Sequence, residues 1–100
     1  MSTLTGFDRY WDSLLYLFKN HPKLSQYLTS KYIDITGATV HVRKLRESAK
    51  AWSSSEKFIL DLALHLFNPS NKVDMSGMDR LDDKNKKLAF DALQIRFLRR

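Results

Sequence analysis

The sequence predicts an all-α fold, a compact bundle of about five helices around a central apolar helix at about residues 54–67. Three observations predict it. Only three glycines and two prolines punctuate 100 residues, which favours long helices over short strands joined by tight turns. Apolar residues recur at helical spacing along much of the chain. Finally, Ser53-Ser54-Ser55-Glu56 is a capping-box pattern that stands directly before the longest apolar run. This length suits one helical domain, 1–100, able to bury roughly two-thirds of its unfolded surface.

The first helix is expected from about Phe7 to Asn20. Phe7, Tyr10, Trp11, Leu14, Leu15 and Phe18 form one wide apolar face. Thr5 suits its N-cap, with Asp8 near the positive end of the helix dipole. Asn20, His21 and Pro22 end it, because residues before proline avoid the α region. Pro22 also suits the first turn of a second helix, which carries Leu24, Tyr27 and Leu28 to about Lys31. Residues 32–40, YIDITGATV, have strand-like composition but no evident partner strand. A loop is expected there, tucking Ile33 and Ile35 into the core. A third helix is expected over about Ala38 to Ala51, with Val42, Leu45, Ala49 and Trp52 at intervals of three, four and three.

The fourth helix, about Ser54 to Phe67, is apolar around nearly its whole circumference, as a central helix must be. Its polar exceptions are Asp61 and His65, four apart and so adjacent on one side. Asn68-Pro69-Ser70-Asn71 stops it. A short helical turn is expected around Ser76 to Arg80. Asp82 then caps a last helix over about Asp83 to Leu98, with Leu88, Ala92 and Ile95 on one face, Ala89 and Leu93 broadening it, and Phe90 and Phe97 at its flanks.

The chain has no cysteine, which excludes disulfides, thiolate zinc sites and a cysteine nucleophile. Its N-terminal segment lacks the basic start of a targeting peptide, and its longest apolar stretch, FILDLALHLF, is about half a membrane span. A cytoplasmic, non-membrane protein is expected. The formal charge of +6 and pI near 9.7 permit attraction to nucleic acid, anionic lipid or an acidic protein and select none of them.

No motif for chemistry emerges, so neither a catalytic residue nor a metal or other cofactor is expected. His21, His41 and His65 fall in three different elements and match no zinc spacing. His65 beside Asp61 has the makings of an oriented general base, but a buried, mutually hydrogen-bonded pair is the simpler expectation. Ser53, Ser54 and Ser55 have no preceding strand and no G-x-S-x-G, so capping accounts for them. Asp74, Asp79, Asp82 and Asp83 surround Gly77 at the wrong spacing for a calcium loop.

The basic set His41, Arg43, Lys44, Arg46 and Lys50 matters more. Arg43, Arg46 and Lys50, at spacings of three and four, share a helical face with Lys44 nearby. That face suits solvent, phosphates or a docking protein. A helix-turn-helix reading fails, because the helix that would read bases begins SSSEKFILDL and is mostly apolar. Arg96, Arg99 and Arg100 would extend the patch if the third and last helices meet end to end. Tyr16 falls off the apolar stripe of the first helix and is a candidate protein contact.

At WSSSEKFILDLALHLFN and LDDKNKKLAFDALQIRF, about a third of the chain, the sequence resembles small helical proteins encoded by phages and mobile elements of Gram-positive bacteria. The resemblance implies binding to a host protein and transfers no site residue. The expected function is therefore a non-enzymatic protein-binding module, a regulator or inhibitor, with nucleic-acid binding through the third helix as the alternative. Self-association is compatible with either.

Overall fold

The computed structural model describes residues 9–98. Its order is α1 (Arg9–Asn20), α2 (Pro22–Ser25), β1 (Ile33–Asp34), β2 (Thr39–Val40), α3 (Val42–Ser48), a 3-10 turn (Ala49–Ala51), α4 (Ser54–Phe67), a 3-10 segment (Met75–Arg80) and α5 (Asp83–Phe97). This is a small all-α bundle. Thr5, Phe7 and Asp8, the expected start of the first helix, lie outside the described residues.

α4 is the centre, as its composition predicts. It meets α1, α2, α5 and both 3-10 segments. Phe58, Ile59, Leu60, Leu62, Ala63, Leu64 and Leu66 are all buried. The capping box forms in full: the Glu56 amide donates to Ser53 Oγ at 3.3 Å, and the Ser53 amide donates to Glu56 Oε1 at 3.0 Å. Two donors that helix geometry leaves orphaned are thereby satisfied. α1 lies against both α4 and α5, burying Trp11, Leu14, Leu15, Leu17 and Phe18, and the Trp11 ring meets Phe67 edge-on at 5.1 Å. Asp82 caps α5 by accepting from the Asn85 amide at 2.8 Å.

The 32–40 segment departs from the expected loop. Its two ends are each other's partners: Ile33 pairs with Val40 and Asp34 with Thr39 in a short antiparallel ladder. Asp34 Oδ1 accepts from the Gly37 amide at 3.0 Å, and Ala38 takes a left-handed φ of 54° to close the turn. Ile33 is buried as expected, but Ile35 lies in the turn and is 42% exposed. The hairpin consumes the residues expected to open the third helix, so α3 starts at Val42 instead of Ala38.

α2 is also shorter than expected. After Ser25 the chain continues in tight turns, with the Gln26 and Tyr27 amides donating three residues back. Leu24 is fully buried, and Tyr27 and Leu28 still pack on the core. The Tyr27 ring lies between Tyr32 and Trp52, at 5.0 and 5.1 Å.

His21, 4% exposed, is the N-cap of α2. Its Nδ1 accepts from the Lys23 amide at 3.1 Å, a role open only to unprotonated Nδ1. Burial lowers the His21 pKa below its ordinary 6.5; Glu56 and Asp82 oppose this and Lys84 reinforces it. With the folded value below the unfolded one, the full contribution to stability is present above about pH 6.5. It falls as pH drops below that value, because the unfolded chain takes up a proton that the folded chain refuses, until the folded imidazole is protonated too. Urea midpoints of the wild type should therefore decline more steeply from pH 7.5 to pH 5 than those of His21→Asn, which keeps a capping side chain without the titration. Parallel declines would rule out this role for His21.

Candidate binding surfaces

α3 is held by Leu45, 0% exposed, and by Ala49 of the following 3-10 turn. The Tyr32 carbonyl anchors its start by accepting from the His41 amide at 2.8 Å. Arg43, Lys44, Arg46 and Lys50 consequently all face solvent, as their spacing predicts. Two depressions flank them. One, of about 350 Å³, is lined by Lys31, Tyr32, Arg43, Lys44, Glu47 and Ser48. The other, of about 230 Å³, is lined by Arg46, Ala49, Lys50, Lys57, Leu60 and Asp61. Lys50 pairs with Glu47 at 3.2 Å and Arg46 with Asp61 at 3.8 Å. Both pairs are well exposed, so each contributes little and leaves its cation available to a ligand.

Asp61 and His65 do not bond to one another as expected. His65 Nδ1 is 2.9 Å from the Asn71 carbonyl, in the turn after α4, whereas Asp61 faces Arg46. Burial raises the Asp61 pKa, opposed by Arg46 and Lys57. His65 does not line the depression that contains Asp61, so the two do not converge on one space. Ser53 caps α4, with Ser54 and Ser55 in its first turn, and Asp74 and Asp82 cap the 3-10 segment and α5. Among the described residues no group of His, Asp and Glu side chains is arranged to hold a metal ion.

Arg96 lies in the core and not on the expected patch, 8% exposed. Its Nε donates to the Leu66 carbonyl at 3.1 Å, and its guanidinium stacks 3.8 Å above the Tyr10 ring. Leu66 belongs to the last turn of α4, where carbonyls lack helical donors and the dipole is negative, so a cation fits there. Arg99 and Arg100 lie outside the described residues.

Tyr16 is half-buried, and its hydroxyl donates to Asp91 Oδ2 at 2.6 Å, tying α1 to α5. Burial, followed by that hydrogen bond and the Asp91 charge, pushes its pKa up to about 12. Tyr16 borders a shallow depression of about 600 Å³ shared with Asp91, Gln94, Ile95 and Leu98. Among the mostly polar exposed positions of α5, two large apolar side chains stand out, Phe90 at 55% and Phe97 at 60% exposure, followed just past the helix by Leu98 at 70%.

No family model, curated protein or solved structure matches this chain. The sites therefore rest on their own geometry. Among the described residues no helix is long and apolar enough to cross a membrane. Spacing alone identified the α3 cations but not Lys31 or Lys57, which come from neighbouring elements. Phe90 and Phe97 are legible as flanking residues, yet nothing local indicates that both stay more than half exposed, Phe97 with the Arg96 guanidinium 4.6 Å over its ring.

Proposed function

We propose that this chain is a non-enzymatic protein-binding module that engages its partner through α5. The observation that carries the reading is the exposure of Phe90 and Phe97 on one helix and of Leu98 at its C-cap. Phe90, Leu93 and Phe97 recur at intervals of three and four, which forms a stripe, and Leu93 is only partly buried. Contiguous exposed aromatics of this kind mark protein contacts. The stripe belongs to a helix seated on α1 and α4, so it is presented rigidly. Lys86 continues the same line toward the N-terminus of the helix, which favours a partner with an apolar recess edged by acidic groups. The resemblance to phage and mobile-element proteins favours a host protein in that role, with regulation or inhibition by occlusion.

The test uses immobilised full-length protein and a Gram-positive bacterial lysate, followed by calorimetry with the retained partner. Phe90→Asp is expected to weaken that complex by roughly 30-fold, the effect of losing one hot-spot contact, while helical circular dichroism stays unchanged. Phe97→Ser is expected to act in the same direction. A complex indifferent to both substitutions, or no partner retained at micromolar concentration, overturns the proposal.

A further inference from the structure

The α3 surface differs in kind from α5. Around its two depressions, the cations Lys31, Arg43, Lys44, Arg46, Lys50 and Lys57 face only the carboxylates Glu47 and Asp61. Six against two leaves a surplus of four charges, most of the chain's formal +6. In the larger depression, Glu47 is drawn to Lys50 on the far side, which leaves Lys31, Arg43 and Lys44 to set the local potential. The Tyr32 hydroxyl and Ser48 Oγ lie 3.2 Å apart there. Whichever donates, the other keeps its own proton to offer to an incoming oxygen.

The five large exposed apolar side chains among the described residues are Ile35, Met75, Phe90, Phe97 and Leu98; none belongs to α3 or lines either depression. Protein interfaces have an apolar centre, whereas nucleic-acid interfaces are more polar and far more positive. The cations also form a line. Arg43 and Arg46 on α3 and Lys50 in the 3-10 turn that follows span roughly 11 Å, at about 1.5 Å per α-helical and 2 Å per 3-10 residue, so a backbone with repeated phosphates meets several of them and a single anion does not.

We infer that α3 and its two flanks bind the phosphate backbone of a nucleic acid, without reading bases and separately from the α5 contact. Arginines supply paired donors to phosphate oxygens, lysines supply point charges, and the Tyr32–Ser48 pair supplies a neutral donor.

The experiment is fluorescence anisotropy of the full chain with a labelled oligonucleotide of about 20 residues, single-stranded and duplex, between about 50 and 200 mM salt. Binding is expected to fall with salt along a log–log slope of about −3 to −4 for the duplex, as four phosphate contacts require. Arg43→Gln/Lys44→Gln is expected to weaken duplex binding at least tenfold at the lowest salt and to flatten the slope by about 2. Both positions are exposed, so the fold should persist, which helical circular dichroism checks. Lys19→Gln, on α1, should change binding by much less. No binding at the lowest salt overturns the inference, as does a slope indifferent to the double substitution. Equal competition by a polyglutamate peptide would assign the face to an acidic protein and likewise overturn it.

Discussion

Gly77→Ala is expected to destabilise the protein by about 3 kcal/mol, the upper part of the range for overpacking a filled core. Gly77 is buried in the 3-10 segment and lies directly on the Phe58 ring. A Cβ there would fall inside the van der Waals surface of that ring, 2.9 Å from Cγ and 3.0 Å from Cε1. Phe58 is 6% exposed in the first turns of α4, within the buried cluster, so the ring has little room to retreat. Either the 3-10 segment lifts, exposing apolar surface, or the ring leaves its rotamer. Urea denaturation of Gly77→Ala, Phe58→Leu and the double variant separates these effects. The smaller leucine should relieve the clash, so the double variant should be more stable than the sum of the two single losses implies. Strict additivity, or an unchanged Gly77→Ala midpoint, would mean that the segment does not sit on Phe58.

Arg96→Ala is expected to cost a similar amount, about 3 kcal/mol. A hydrogen bond from a charged donor is worth roughly 1.5–3 kcal/mol, and its loss leaves the Leu66 carbonyl without that donor. The stack on Tyr10 at 3.8 Å and the packing of the side-chain stem are lost with it. Arg96→Met should retain the stem and Arg96→Lys the charge. Neither restores a flat guanidinium on the ring, so both should fall between wild type and alanine. The same series separates two roles. As a buried strut between α5 and the end of α4, Arg96 affects denaturation midpoints and leaves the salt slope of polyanion binding unchanged. Normal stability combined with a flattened slope would return Arg96 to a surface patch.

These two residues show how tertiary context changes the reading of a local pattern. Gly77 stands within a cluster of aspartates and invites comparison with a calcium loop; its actual constraint is an aromatic ring that comes from α4. Arg96 follows the rule that cations favour helix C-termini, but the terminus it satisfies belongs to α4, thirty residues away. The hairpin at 32–40 is hidden from composition for a related reason. A strand needs a partner, and composition does not reveal that a nine-residue segment folds back to supply its own. Tyr16 shows the same limit: helical spacing put it off the stripe, yet Asp91, its partner across the bundle, is 75 residues away.

The all-α class, the capping box at Ser53 and Glu56, the extent of α4 and its central position, the cap at Asp82 and the exposed cations of α3 and the turn after it are legible in the chain alone. These follow from interactions within a few residues or from the apolar fraction of a helix's circumference, both of which are written locally. Helix packing, by contrast, buries Arg96, leaves Phe90 and Phe97 more than half exposed, and brings Lys31 and Lys57 to the α3 cations around two depressions. Periodicity sets the angle of a side chain on its own helix. Which neighbour meets that angle depends on how helices pack, and packing is settled by contacts between residues far apart in the chain.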